Sequence, residues 1–326
     1  MGKDSRLRAA VFGLGDIARK AHLPLLATNP EIQVTGLISR TGTRVEATIQ
    51  QFRLAPSQYT LAEVLTDPPD VAFVLSSTES HPEVAIPLLK AGVDVYLEKP
   101  IAADLASTRA VVAAAEASGR LLMVGFNRRF APHYRRAQER FARQSPRVVL
   151  LQKHRFLPTY AWPPVTAMMD DVIHMVDLAR YFAGELEEVW ARIQVDDGRF
   201  RAIAAGMAGL DGRQVLLSQS YVAGSALERV ELHGDGQSIR MEEMDRLTID
   251  ATGRRWQEDF DPWVPTLEKR GFTGALAHFL SCVRQRQQPV NSGREALRSH
   301  ELAWRLLQAA GCLDADSQTE IKRLEG

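Results

Sequence analysis

From Leu7 to Val124 the apolar residues gather in short runs with few polar interruptions: Leu7–Phe12, Ile32–Ile38, Val71–Leu75, Val93–Leu97 and Leu121–Val124. Short runs with apolar residues on both faces predict strands of a parallel sheet covered on both sides. The stretches between them, Asp16–Thr28, Arg44–Phe52, Pro82–Ala91 and Asp104–Ala117, have the character of helices. Strand and helix therefore alternate as βαβ units, which predicts an α/β fold with an N-terminal Rossmann, doubly wound parallel sheet.

Beyond residue 125 the pattern changes. Asp211-Gly212 separates "AAGMAGL" from "QVLLSQSYV", Gly234-Asp235-Gly236 follows "ALERVELH", and Thr252-Gly253 separates "RLTIDA" from "RRWQEDF". Tight turns between apolar runs predict antiparallel hairpins. Two helices, Thr266–Gln287 and Gly293–Ala310, close the chain. The expected division is a dinucleotide-binding domain over 1–125 and an α+β domain with a largely antiparallel sheet over 126–326, for substrate binding and oligomerisation.

Composition narrows the classes. A chain of 326 residues exceeds one small core, and 45% apolar with 25% charged residues is ordinary for a globular protein. Lys+Arg and Asp+Glu both count 40, so no net field draws nucleic acid or an anionic membrane. Cys282 and Cys312 have no metal-ligand spacing and read as reduced thiols. No apolar run nears the ~20 residues of a membrane span. The N-terminal stretch has no signal-peptide pattern, and Arg6 stands where a myristoylation signal needs a hydroxyl. A cytoplasmic protein is expected.

Two strand ends carry chemistry. "AAVFGLGDIARKAH" sets Gly13, Gly15 and Ala18 between a strand and a helix as G-x-G-x-x-A. The first glycine allows the turn, the second lets the backbone approach a pyrophosphate, and Ala18 allows close helix packing. The following helix N-terminus adds amide hydrogens and partial positive charge. The second strand ends in "SRTGTR" without the carboxylate that holds a ribose 2′-hydroxyl in NAD sites. Ser39, Arg40, Thr41 and Arg44 could clamp a 2′-phosphate, or form an ordinary polar loop. NADP(H) is expected over NAD(H), which stays possible. The run Val93–Leu97 ends in Glu98-Lys99-Pro100, either solvated charge or a ligand-facing amine at the carboxyl end of a parallel strand.

Together "FGLGDIA", "SSTESH", "LEKP" and "GFNRRF" resemble the Gfo/Idh/MocA family of oxidoreductases. "AHLPLL", "GFNRRFAPHY", "MMDDVIHMVD" and "TLEKRGFTGALAHF" resemble its MviM-like branch more closely. The resemblance implies a nicotinamide cofactor held by the turn Gly13, Leu14, Gly15, Asp16 and Ile17. It also implies cofactor contacts from Ser76, Ser77, Thr78 and His81, from Glu98 and Lys99, and from Asn127 and Arg128 at the domain crossover. It implies a catalytic Lys99, together with Asp170 and His174 from a D-x-x-x-H motif. The chain departs from the family pattern at Asp171-Val172, where many members carry an apolar residue and a glycine.

Oxidising an alcohol needs a group to take the hydroxyl proton, and an imidazole with a pKa of ~6.5 suits it. Asp170 and His174, four apart, share a helical face, with Asp177 close to it and Asp171 directed elsewhere. A carboxylate could orient the imidazole, but a helix-end carboxylate beside a packed histidine has the same spacing. The expected mechanism has His174 moving the proton, Lys99 polarising the oxygen, and Asp170 positioning His174 or substrate. It requires the Lys99 amine and the His174 imidazole to serve one nicotinamide ring. Lys153 and Arg155 share one strand face, from which one of them could reach substrate, though a solvated face is the expectation. Tyr160, Trp162 and Trp263 are candidates for an aromatic wall.

The leading expectation is an oxidoreductase moving hydride between NADP(H) and a sugar, polyol or related hydroxyl or carbonyl compound, with no metal. A non-catalytic dinucleotide-binding sensor and a reductase of a non-sugar acceptor are the alternatives. The partners expected are a small-molecule substrate and a second copy of the chain, as a homodimer or homotetramer, with no nucleic acid or membrane.

Overall fold

The computed structural model describes residues 6–42, 44–157 and 159–313, and resolves them into two units. Of the described residues, those up to Phe126 together with Phe272–Leu297 form the first unit; Asn127–Gly271 and the described residues from Arg298 to Leu313 form the second. The division expected at 125/126 therefore needs correction at the C-terminal end, because residues 272–297 leave the second domain and join the first. The reason is packing. Phe279, on the helix Phe272–Gln285, stacks edge-on against Phe73 and Tyr96, and Arg286 pairs with the buried Asp94. Asn291 then exchanges backbone and side-chain hydrogen bonds with Val124.

In the first unit, β1 (Leu7–Phe12), β2 (Ile32–Ile38), β3 (Val71–Val74), β4 (Asp94–Leu97) and β5 (Leu122–Val124) form a parallel sheet in the order β2-β1-β3-β4-β5. Every residue of β3, β4 and β5 is buried, as expected of strands covered on both faces. Strand order reverses at β1, and a crevice opens at the carboxyl ends of strands at such a point. The predicted helices occur at Val45–Phe52, His81–Lys90 and Leu105–Ser118, the last capped by Asp104. The helix Leu61–Thr66 is additional, and its signature was readable: Thr60 and Glu63 form a capping box.

In the second unit, β6 (Val148–Phe156), β7 (Glu188–Asp196), β8 (Arg199–Ala208), β9 (Gln214–Ser220), β10 (Val222–Gly234), β11 (Gln237–Glu242), β12 (Arg246–Ala251) and β13 (Arg254–Asp259) form one sheet. Its order is β13-β12-β11-β10-β6-β9-β8-β7, with β6 and β9 parallel and the remaining pairs antiparallel. All three predicted hairpin turns join neighbouring strands. A helical run from Pro164 to Ala183 lies on β6 and β9, burying Val149, Leu151, Val215 and Leu217. The opposite face carries Leu216 and Trp190, each about half exposed, with Trp190 lying over Gly206. The predicted helix Thr266–Gln287 is two, Thr266–Lys269 and Phe272–Gln285, broken at Gly271. Gly271 has φ +82°, and a Cβ there would stand 2.2 Å from the Asn127 carbonyl oxygen. No helix among the described residues is long and apolar enough to cross a membrane.

Candidate active site

A cleft of about 590 Å³ opens in the first unit where β1, β2 and β3 end. Gly13, Leu14, Gly15 and Ile17 line it from the first turn, Ser39, Arg40 and Thr41 from the second, and Ser76 and Ser77 from the third. Gly13 has φ +92°, and a Cβ there would come within 2.5 Å of the Ser76 backbone, so both conformation and space demand glycine. A Cβ on Gly15 would meet nothing within 4 Å, leaving its backbone open on the cleft side. Ala18 is fully buried, which lets the helix close onto the sheet. These features fit a dinucleotide: a bare glycine turn, a helix N-terminus and an adjoining cleft of suitable size.

Not every predicted cofactor residue faces that cleft. Asp16 is exposed and pairs with Arg19 and Lys20 one turn on, which lowers its pKa. Arg44 donates to the Leu14 carbonyl oxygen at 3.3 Å, so its guanidinium braces the glycine turn. Thr78 opens a short 3-10 turn, outside the lining. His81 is buried, with Nδ1 2.9 Å from the Pro100 carbonyl oxygen and Nε2 3.1 Å from that of Ser76. Burial holds its pKa below the ordinary histidine value. His81 thus ties the loop after β3 to the loop after β4. Sequence reasoning missed Leu61, Ser80, Glu83 and Val84, which line the cleft together with the strand-end residues Phe12, Ile38 and Leu75. Ser80 and Glu83 were within reach of the "SSTESH" reading; Leu61 comes from the unpredicted helix.

At the end of β4, Glu98 is buried, and its Oε1 lies 2.8 Å from Nε2 of the buried His22. His22 stands in a π-turn, Ala18–His22, closed by a bond from Leu23 N–H to the Ala18 carbonyl oxygen. Gly125 leaves the room Glu98 needs, since a Cβ there would lie 2.9 Å from Oε1. The Lys99 amide donates to Oε2 at 3.3 Å, and the Lys99–Pro100 peptide is cis. Lys99 itself is half-buried. Glu98, predicted as a cofactor contact, is thus engaged by His22 and by the backbone of Lys99.

In the second unit, Asp170, Asp171 and His174 occupy one helical run whose segment Met168–Val172 is a π-turn. Asp170 and His174 are half-buried, whereas Asp171 is buried. Two expectations need correction. Asp177 does not serve His174: its carboxylate accepts both arms of Arg129, at 2.8 and 2.7 Å, and the Ser299 hydroxyl at 2.8 Å. The face of β6 bearing Lys153 and Arg155 is solvated only in part, because the helical run covers Lys153 while the Arg155 side chain stays 42% exposed. Lys153 is 2% exposed and donates to Asp171 Oδ1 at 2.5 Å. Arg155 reaches the same oxygen at 3.0 Å, while Gln219 and Tyr221 donate to Oδ2 at 2.6 and 3.1 Å.

Arg128 adds a second buried pair. It forks onto Glu228 with bonds of 2.8 and 2.7 Å, and the Tyr134 hydroxyl donates to Glu228 at 3.2 Å. Burial opposes the charge on Glu228, but Arg128 and Lys153 outweigh it and hold the pKa down to about 2. Burial, helped by Arg128, brings Lys153 down to about 7 against the pull of Asp171 and Glu228. Asp171 lies below the usual carboxylate range because Lys153 and Arg155 overcome its desolvation. Asn127 donates to the Arg270 carbonyl oxygen at 2.8 Å. The guanidinium of Arg128 and the amide of Asn127, both predicted at the cofactor, are therefore engaged within the second unit. Tyr160 and Trp162 pack ring against ring at 4.3 Å, but Trp263 is 91% exposed and takes no part in that cluster.

Comparison with known proteins agrees with this architecture. Residues 7–126 match the NAD-binding Rossmann fold of the Gfo/Idh/MocA oxidoreductase family. The chain is 32% identical over 312 residues to YceM of Salmonella typhimurium, named as an oxidoreductase, covering 92% of this chain and 97% of that protein. It is 23% identical over 314 residues to inositol 2-dehydrogenase of Rhizobium meliloti, covering 91% and 94% of the two chains. The crystal structure of dehydrogenase MviM from Clostridium difficile superposes with a TM-score of 0.86 at 25% identity, covering 93% of this chain and 99% of that one.

Proposed function

The chain belongs to the Gfo/Idh/MocA oxidoreductase family, and from that premise we propose that it interconverts a hydroxyl and a carbonyl on a sugar, polyol or related compound with NADP(H). The single observation that carries this reading is the cleft of the first unit. Its glycine turn leaves the Gly15 backbone open while Gly13 packs onto Ser76. Gly13, Leu14, Gly15 and Ile17 would hold the pyrophosphate end. Ser39, Arg40 and Thr41 line the cleft at the end of β2, where a 2′-phosphate would be received. The absence of a carboxylate at that strand end supports NADP over NAD. The substrate class rests on relatives such as inositol 2-dehydrogenase.

The nicotinamide cofactor, when bound, accepts or returns the hydride. Of the chain's own groups, His174 takes the hydroxyl proton on oxidation and returns it on reduction. Lys99 donates to the reacting oxygen and stabilises developing alkoxide. Asp170 positions His174 or the substrate. The half-exposed Leu216 and Trp190 on the open sheet face support self-association as a homodimer or homotetramer, which sedimentation of the wild type would test.

The experiment is hydride exchange from labelled NADPH across a panel of sugars and polyols, with the dissociation constants of NADPH and NADH measured beside it. Exchange lost in Lys99→Met and His174→Gln while NADPH still binds is the expected result. Tight binding with no exchange on any substrate would identify a sensor instead.

A further inference from the structure

We infer that Lys153 is a positioning residue for this reaction: its buried ammonium holds both the carboxylate and the main-chain carbonyl of Asp171, and so fixes the π-turn that carries Asp170 ahead of His174. The inference rests on the reading that Asp170 and His174 act on the substrate.

A lysine 2% exposed on a strand must be desolvated, and a buried ion pair is often no more stable than an apolar pair of the same volume. Fold stability therefore gives little reason for a lysine here. Lys153 Nζ lies 2.5 Å from Asp171 Oδ1 and 3.3 Å from the Asp171 carbonyl oxygen. In the π-turn, Ile173 N–H reaches back to the Met168 carbonyl oxygen, five residues away, so the regular ladder of the helix is interrupted. The same N–H also approaches the Asp171 carbonyl, and the ammonium adds to it a tie from the sheet to this irregular segment.

Lys153 and Arg155 on β6, Gln219 on β9 and Tyr221 just beyond it all donate to the one carboxylate of Asp171. Four side chains of the sheet thus grip a single helical residue. That residue directly follows Asp170 and precedes His174 by three. The carboxylate at 171, where the family pattern has an apolar residue, has its counter-charge in Lys153. The other charged and titratable groups around Lys153 are Arg128, forked onto Glu228, and Tyr134, bonded to Glu228. Their opposing effects leave the amine titrating near neutrality, so its hold on the turn weakens as pH rises through about 7.

The test follows His174 by NMR in protein labelled with ε-13C-histidine, its resonance assigned by its loss in His174→Gln. Three proteins are titrated: wild type, Lys153→Met, and Lys153→Met/Asp171→Asn, which removes both buried charges. Lys153→Met should move the His174 midpoint by about half a unit or more. The double variant should regain the melting temperature, because no unpaired buried charge remains, yet keep the displaced midpoint. An unmoved midpoint in Lys153→Met would overturn the inference. So would a midpoint that returns together with stability in the double variant, which marks a purely structural role. Full hydride exchange in His174→Gln would instead refute the catalytic reading, and the titration would still report separately on Lys153.

Discussion

His22 and Glu98, 76 residues apart in the chain, meet in the interior of the first unit with Nε2 2.8 Å from Oε1. The contact joins the helix that follows the glycine turn to the strand end that presents Lys99. Removing one partner leaves a buried carboxylate short of a hydrogen bond, which costs more than the bond itself contributes. His22→Ala should therefore destabilise the protein by about 2 kcal/mol or more in urea unfolding. An unshifted unfolding midpoint would remove the pair from the scaffold.

Gly13→Ala combines a forbidden φ with a Cβ 2.5 Å from backbone atoms of Ser76. The main chain must move, and the glycine turn moves with it. The expected result is loss of NADPH binding by calorimetry together with a lower melting temperature. Gly15→Ala meets nothing within 4 Å, so it should leave the melting temperature alone and weaken the cofactor only.

Arg40 lines the cleft, whereas Arg44 donates to the Leu14 carbonyl. Arg40→Ala should weaken NADPH by roughly tenfold or more, the worth of one hydrogen bond to a charged group, and leave NADH almost unchanged. Arg44→Ala should weaken both dinucleotides alike, since it loosens the turn they share. Equal losses for both cofactors in Arg40→Ala would reject the 2′-phosphate clamp.

Acid should act through Glu228. Its folded pKa of about 2 lies below the ordinary 4.5, since Arg128 and Lys153 outweigh the opposing effect of burial. A group depressed in the folded state contributes stability that is complete above its unfolded pKa and is lost as pH falls through the folded one. Stability should therefore decline from about pH 4.5 toward 2, with Asp171 adding in the same direction. Glu228→Gln should be less stable at neutral pH and flatter through that window. A parallel curve in thermal melts at stepped pH would show that other carboxylates carry the acid limb.

The parts legible in the sequence were those set by local rules. Short apolar runs located the five parallel strands, and the turn residues at 211–212, 234–236 and 252–253 located the hairpins. Gly13 announced the cleft because only glycine permits that turn, and Gly15 because it leaves the backbone bare beside it. The misjudged parts depended on what packs against what. Strand alternation correctly put Lys153 and Arg155 on one face, but nothing local says that a helix covers that face. Asp177 and Asp171 both looked like neighbours or bystanders of His174; their partners, Arg129 and Lys153, come from distant segments. Glu98 likewise reads as an exposed strand end until His22 arrives from a helix 76 residues earlier.

The chain leaves the nucleotide-binding unit at Phe126 and re-enters it at Phe272. A fragment cut after Phe126 would expose the aromatic surface of Phe73 and Tyr96 that Phe279 covers, and strand Asp94 without Arg286. Anyone wishing to express this unit in isolation must splice residues 272–297 back on through a short linker; simple truncation yields a sticky, half-finished domain.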